Sequence, residues 1–192
     1  MIDQQTMNRR LKESFSREVL QRITDTLDCV VMSSSFGRYS AVMLHLVTSQ
    51  LGGCPVINIK LGDETEETER HRQRLQKRLD LDLRLYTRNE GESKADTFER
   101  ALDNLDAEAL ISGLLWGETS HREQFEYIMF DQDSDIYRVH PVLHWRHRDQ
   151  HAYCRDNDLP INEHYYDPHK EESEKKECGI HLFDYEQDGS GI

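Results

Sequence analysis

Features that mark other protein classes are missing from this 192-residue chain. No run of about 18 apolar residues occurs, so no membrane-spanning helix is expected. The first residues, MIDQQTMNRRLKESF, lack the apolar core of a secretory signal, and the expected location is the cytoplasm. Cysteine is sparse. Cys29, Cys54, Cys154 and Cys178 are scattered and form no CxxC pair, which leaves a zinc ribbon or a four-cysteine iron–sulfur site without support. No HExxH occurs among the ten histidines. HWRHRDQH places His147 and His151 four apart on an expected helix, but no carboxylate–histidine set completes a site, so no metal is expected. Basic residues are in deficit, with 24 Lys and Arg against 37 Asp and Glu and a net charge of −13. Such a surface repels nucleic acid and anionic membranes. A small anionic substrate would therefore need a local basic pocket working against the overall field.

What is present is a series of short apolar runs separated by charged stretches. Hydrophobic residues make up 36% of the chain, clustered enough for a folded protein of one domain with a small appendage. Residues 7–27 read as an amphipathic helix with Leu11, Phe15, Val19, Leu20 and Ile23 on its apolar face. Cys29–Ser33 reads as a buried strand, and YSAVMLHLVTSQL as a helix ended by Gly52 and Gly53. PVINIKL, LDLRLY and AEALISGLL supply three further strands. Helices are expected over 64–79, acidic at its start and basic at its end, and over 93–105. This alternation predicts an α/β fold, an open and mostly parallel sheet with helices on both faces. Beyond residue 120, FEYIMF and IYRVHPVL read as two strands joined by DQDSD, and RHRDQHAYCRDND as a short helix. Cys29 and Cys54 are expected in the core, and Cys154 is assigned no chemistry.

The loop SSSFGRYSAV lies where the first strand hands over to a helix. In open α/β sheets, ligands bind at the carboxyl ends of strands. Ser33, Ser34 and Ser35 offer hydroxyls, and Phe36-Gly37 opens a turn whose N–H groups can approach an anion at a helix N-terminus. An ordinary turn with a serine N-cap is the alternative. The GK[ST] ending of a Walker A loop is missing.

SSFGRYSAVMLHLV resembles the modified PP-loop of the sulfonucleotide reductases, the phosphoadenosine phosphosulfate (PAPS) reductase family within the adenine nucleotide α-hydrolase-like folds. Ser34, Ser35, Phe36, Gly37, Ala41, Val42, Leu44, His45 and Leu46 carry the match. GDETEET is similar to the family's second loop through Gly62, Glu67 and Thr68. SGLLWGETSHR matches at Gly113, Leu114, Thr119 and Arg122. Pro141, Trp145, Tyr153, Leu159, Pro160 and Tyr165 follow in the family's order, and ECGIH is very like its C-terminal Glu-Cys-Gly-Leu-His. The likeness spans roughly residues 15–181.

The resemblance implies a cytoplasmic, thioredoxin-dependent reduction of 3′-phosphoadenylyl sulfate to sulfite and adenosine 3′,5′-bisphosphate. Cys178 would be the nucleophile that becomes S-sulfocysteine. His181 would help order the closed tail. The sulfonucleotide would be held by Ser33, Ser34, Ser35, Phe36, Gly37, Lys60, Gly62, Gly113 and Arg122. Thioredoxin or glutaredoxin would be the external reductant, with no iron–sulfur cluster, and members are often dimeric, which makes a homodimer the expectation. The division expected is a sulfonucleotide-binding domain over 1–168 and a tail over 169–192. An unperturbed thiol has a pKa of about 8.5. Lys175, Lys176 and His181 would lower that of Cys178, Glu171, Glu172, Glu174 and Glu177 oppose them in the open tail, and activation is expected on closure.

Two departures bear on substrate. Leu115 and Trp116 replace the family's adjacent arginines, removing charge-assisted bonds worth ~1.5–3 kcal/mol each. Lys60 replaces an acidic residue and would bring a cation near the phosphates. The stretch TRNEGESKADTFERALDNLD is short. It lacks the Cys-Cys pair of cluster-bearing adenylyl-sulfate reductases, and also residues that would recognise a 3′-phosphate. Three alternatives stay open: a cluster-free adenylyl-sulfate reductase, an ATP-using adenylating or thiolating enzyme (whose SGGxDS motif is absent), and a regulatory nucleotide-binding relative with weakened catalysis.

Overall fold

Strand and helix alternate along the chain as the apolar runs require. The computed structural model describes residues 3–60, 64–116 and 121–163, with Gln5, His121 and Arg122 defined in backbone only. Its elements are α1 (Gln4–Thr24), β1 (Val30–Ser33), α2 (Ser40–Leu51), β2 (Val56–Lys60), α3 (Glu66–Leu79), β3 (Leu83–Thr87), α4 (Lys94–Asp103), β4 (Ala109–Ile111), a 3-10 turn (His121–Gln124), β5 (Ile128–Asp131), β6 (Ile136–Val139) and α5 (His147–Asp156). The boundary expected at 168/169 lies outside the described residues.

Local chemistry accounts for the helix ends. Asp3 starts α1, accepting from the Thr6 N–H at 3.3 Å and the Thr6 hydroxyl at 2.6 Å. The helix therefore begins before the expected residue 7. Thr65 caps α3, accepting from the Thr68 N–H at 3.2 Å, and Glu66, Glu67 and Glu69 face the positive end of the dipole. A reciprocal Ser93–Asp96 box opens α4. Gly52 closes α2 with φ 71, a left-handed turn that glycine enters without steric cost. Strands β5 and β6 are shorter than their apolar runs. Pro141 has no N–H to continue a ladder, and Pro141–His144 form a turn instead.

The strands form one sheet in the order β3-β2-β1-β4-β6-β5. All neighbours are parallel except β5, which runs antiparallel to β6 at the edge. Alternate residues serve opposite faces. Val30, Met32, Ala109, Ile111 and Val139 join a main core with Leu20, Ile23, Val42, Leu46, Leu75, Tyr153 and Cys154. Val31, Ile57, Ile59, Leu110 and Ile136 meet Phe98, Ala101 and Leu102 of α4 on the other face. Burying one side chain of the size of Phe98 contributes about 1.5–3 kcal/mol. Helices thus cover both faces, as the alternation predicts.

Two expectations need correction. Leu11 and Phe15 do not join the core. They are 62% and 43% exposed, because the buried side of α1 is carried by Ser16, Val19, Leu20 and Ile23. Cys29 is half-buried at the entry to β1 and outside the core, Cys54 is half-buried at the entry to β2 and packs against the main core, and Cys154 is fully buried.

The topology places a crevice. From β1 the chain steps outward through α2 and α3 to β3. It then crosses the opposite face through α4 and re-enters beside β1 as β4. The segments leaving the carboxyl ends of β1 and β4 diverge there, which is where ligands bind in open α/β sheets.

Candidate active site

The segment leaving β1 is held in an unusual shape. Ser33 and Ser34 are buried, and Ser35 is half-buried. Phe36 has φ 55 and is fully buried. This left-handed conformation costs a residue with a Cβ about 1–2 kcal/mol. The left-handed residue is Phe36 and not the neighbouring glycine, Gly37, which is buried with ordinary φ. The Ser34 hydroxyl accepts from the Phe36 N–H at 3.1 Å and steadies the turn. Asn162 adds two clamps: its N–H donates to the Arg38 carbonyl at 3.1 Å, and Nδ2 donates to the Phe36 carbonyl at 3.2 Å.

This leaves donors facing no protein partner. Among the described residues, the N–H groups of Gly37, Arg38 and Tyr39 make no hydrogen bond. They lead into the N-terminus of α2, where Tyr39 supplies no side-chain cap. The buried hydroxyl of Ser40 also lacks a partner among the described residues. The serine N-cap of the alternative reading is not formed. Arg38 lies 5.6 Å over the Tyr39 ring and has no carboxylate partner among the described residues. Consecutive amides at a helix N-terminus, unpaired among the described residues and beside a guanidinium with no carboxylate partner there, can receive an anion.

A buried polar network supports the loop from below. Ser34 donates its N–H to the Ile57 carbonyl at 3.0 Å and accepts from Asn58 Nδ2 at 2.9 Å through its own carbonyl. Asn58 Oδ1 accepts from Arg72 at 3.2 Å, and Arg72 also pairs with Glu64. Asn58 and Arg72 are 2% and 3% exposed, so their partners replace water. Lys60 ends β2 at the same edge, with Nζ 3.7 Å from Glu69 and both side chains partly exposed. Its charge is shared with that carboxylate.

The segment leaving β4 is built differently. Gly113 is exposed, and a Cβ there would lie 3.1 Å from Met43 Cγ of α2. The close approach of this segment to α2 accounts for glycine at this position. Ser112 Oγ and His140 Nδ1 share a 2.8 Å hydrogen bond, and Phe125 stacks on the His140 ring. Leu115 is 3% exposed, while Trp116 is 47% exposed, edge-on to His144 and donating Nε1–H to the Glu123 carbonyl at 3.3 Å. The two positions that replace arginines thus hold a core residue and a surface ring.

Ser33, Ser34, Ser35, Phe36, Gly37, Lys60 and Gly113 all come to the carboxyl edge of the sheet. Arg122 lies in the 3-10 turn with only its backbone described, and Gly62, Cys178 and His181 lie outside the described residues. Burial pushes the Cys54 and Cys154 thiols up to about 12, so both stay protonated near neutral pH. Cys29 and Cys54 precede β1 and β2, at the edge opposite the crevice. His147 and His151 are exposed on α5, and no group of three His, Cys, Asp or Glu among the described residues is placed to hold a metal. Asn58, Arg72, His140 and Asn162 escape sequence reasoning. Polar residues inside apolar runs, near a proline or on a charged helix carry no periodic signal that sets them apart.

A family model for the phosphoadenosine phosphosulfate reductase domain matches residues 29–169. The chain belongs to the phosphoadenosine phosphosulfate reductase family. A phosphoadenosine 5′-phosphosulfate reductase from Synechococcus is 32% identical over 81% of this chain and 78% of its own length. One from Synechocystis is 28% identical and covers 94% of this chain and 91% of itself. Among solved structures, the phosphoadenylyl-sulfate reductase of Candida auris in a phosphate complex superposes with TM-score 0.68 at 18% identity, covering 85% of this chain and 91% of that one. FMN adenylyltransferase of Candida glabrata in complex with ATP gives 0.72 at 21% identity, over 83% of this chain and 58% of that one. At such identities the structural likeness is one of fold alone.

Proposed function

We propose that this protein reduces a sulfonucleotide, 3′-phosphoadenylyl sulfate, to sulfite with electrons from thioredoxin or glutaredoxin. One observation carries the reading. A loop with three consecutive amides unpaired among the described residues sits at the β1/β4 crevice, and Asn162, near the end of those residues, is hydrogen-bonded to that loop. The stretch from Glu163 to Cys178 can span up to about 50 Å at roughly 3.3–3.6 Å per residue. Cys178 is therefore within reach of anything bound at the crevice.

The chemistry follows from these parts. The unpaired amides, Ser40 and Arg38 hold the anionic groups, with Lys60 and Arg122 adding positive charge. The Cys178 thiolate attacks the sulfate sulfur. An S–S bond forms, the S–O bond to the phosphate breaks, and adenosine 3′,5′-bisphosphate leaves with the electron pair. A reductant thiolate then attacks Cys178 Sγ and expels sulfite, leaving a mixed disulfide. The second reductant thiol resolves it, returning Cys178 as a thiolate and the reductant as a disulfide. His181 helps to order the segment around Cys178. Gly62 and Gly113 let backbone and substrate approach closely.

A second reading is a nucleotide-binding relative with weakened chemistry, favoured by Leu115 and Trp116 in place of two cations. One experiment separates the two. The protein is incubated with the sulfonucleotide without reductant and its intact mass measured, then reduced thioredoxin is added and sulfite assayed. The reductase gains about 80 Da, the increment of SO3 on a thiolate nucleophile, and then releases sulfite. Cys178→Ser does neither. Equal sulfite from Cys178→Ser and the parent protein removes the mechanism, and nucleotide binding with no adduct supports the second reading.

A further inference from the structure

We propose that Asn162 is a positioning residue for nucleotide binding, one that aims the backbone amides of the loop between β1 and α2. The inference rests on the function proposed above and names what gives that site its shape.

The argument begins with the peptide plane. In a trans peptide the carbonyl of one residue and the N–H of the next point in opposite directions. The described chain contains no cis peptides. The Phe36 carbonyl and the Gly37 N–H therefore form one rigid unit, and the Arg38 carbonyl and the Tyr39 N–H another. Asn162 takes both carbonyls, the first through Nδ2 at 3.2 Å and the second through its own N–H at 3.1 Å. Pulling those two oxygens toward Asn162 turns the Gly37 and Tyr39 amides the other way. These are two of the three amides left without a partner among the described residues.

The residue type suits the task. Nδ2 also lies 3.4 Å from Thr68 Oγ1 on the first turn of α3, so the loop is braced against a helix. Asn162 is 4% exposed, and water does not compete for these bonds. Aspartate would present an acceptor to the Phe36 carbonyl, and glutamine would be one methylene too long. Phe36 needs such a brace, because its φ of 55 is unfavourable for any residue with a Cβ. A strained loop held from outside keeps its amides fixed before the ligand arrives, which lowers the ordering cost of binding. Asn162 also immediately precedes the stretch leading to Cys178, so one residue fixes both the anion loop and the point from which the nucleophile's segment departs.

The test uses the full chain and adenosine 3′,5′-bisphosphate as probe. Calorimetry measures its affinity for the parent protein, Asn162→Ala and Thr68→Val. Amide NMR follows Gly37 and Tyr39, and sulfite formation is assayed in parallel. Asn162→Ala is expected to weaken binding about tenfold, the effect of about 1.4 kcal/mol, and to raise KM more than it lowers kcat. It also moves the free-state Gly37 and Tyr39 signals and shrinks their response to the nucleotide. Thr68→Val moves affinity in the same direction by less, and it decides the matter if Asn162→Ala does not fold. Parent-like affinity and parent-like amide responses in the folded variant overturn the inference. Sulfite from the parent with unchanged KM in Asn162→Ala overturns it while leaving the reductase function standing. Weakened binding in Asn162→Ala with no sulfite from the parent does the reverse. A parent protein that does not bind the nucleotide sinks both.

Discussion

The two sides of the crevice solve one problem with different materials. The β1 side is polar and braced: Ser34, Asn58, Arg72 and Glu64 form a chain of hydrogen bonds, and Asn162 locks the loop from outside. The β4 side is held by rings, with Phe125 on His140, and His144 set between Trp116 and Tyr127. A polar scaffold has directional bonds and can aim backbone amides. A ring cluster positions mass but aims no charge. On the proposed function, the difference assigns the aiming of backbone amides at an anion to the β1 side. The arginines expected of the β4 side have been exchanged without loss of the fold.

Four substitutions would break or sharpen this contrast. The largest effect is expected of Leu115→Arg. The position is 3% exposed, so the guanidinium would be buried without a partner, at a cost of about 4 kcal/mol. Thermal denaturation should show a fall of about 10 °C for a domain of this size. Tolerance of this change would mean that the β4 side is looser than described. Next is Arg72→Met, which strands Asn58 Oδ1 and the Glu64 carboxylate. We expect a loss of about 3 kcal/mol in urea unfolding, with weaker nucleotide binding. Unchanged stability would show that the polar chain is dispensable. Trp116→Arg is a milder change, because that side chain is already exposed. Restoring a cation there should tighten nucleotide binding about tenfold at low salt, and less at high salt as screening rises. No gain would place Trp116 away from the bound anion.

The smallest effect is expected at His71. Its Nε2 is buried without a partner among the described residues, and burial, with Arg74 nearby, pushes its pKa from 6.5 down to about 4. Between those values the unfolded chain takes up a proton that native His71 refuses, so its contribution to stability falls as pH drops through this window. The slope is at most ~1.4 kcal/mol per pH unit. His71→Leu should remove that part of the acid sensitivity. Its stability relative to the parent should therefore be higher at pH 5 than at pH 8. An identical difference at the two values would refute the assignment.

Much of this was legible in the amino acids alone. The alternation of apolar runs with amphipathic stretches gave all six strands and the helix order, because periodicity records burial directly. The resemblance anchored by SSFG, Gly113 and ECGIH led to the family. Legibility failed where a residue acts through one specific bond. Nothing in LPIN announces that Asn162 reaches back to Phe36, and nothing in PVINIKL says that Asn58 faces Ser34 rather than solvent. Leu11 and Phe15 misled for the opposite reason. They obey helical spacing, but Ser16 takes the inward position by donating to the Pro141 carbonyl and accepting from Trp145.

The uneven sandwich around the sheet has a dynamic consequence. Among the described residues, one face is covered by α4 alone, through Phe98, Ala101 and Leu102, while the thicker face is shared by several helices. Spontaneous opening should therefore start by peeling off that thin cover, and amides there should exchange with deuterium before those beneath α2. The loop between β1 and α2 belongs to the slower-opening half, so it would keep its shape through excursions that already expose the face beneath α4.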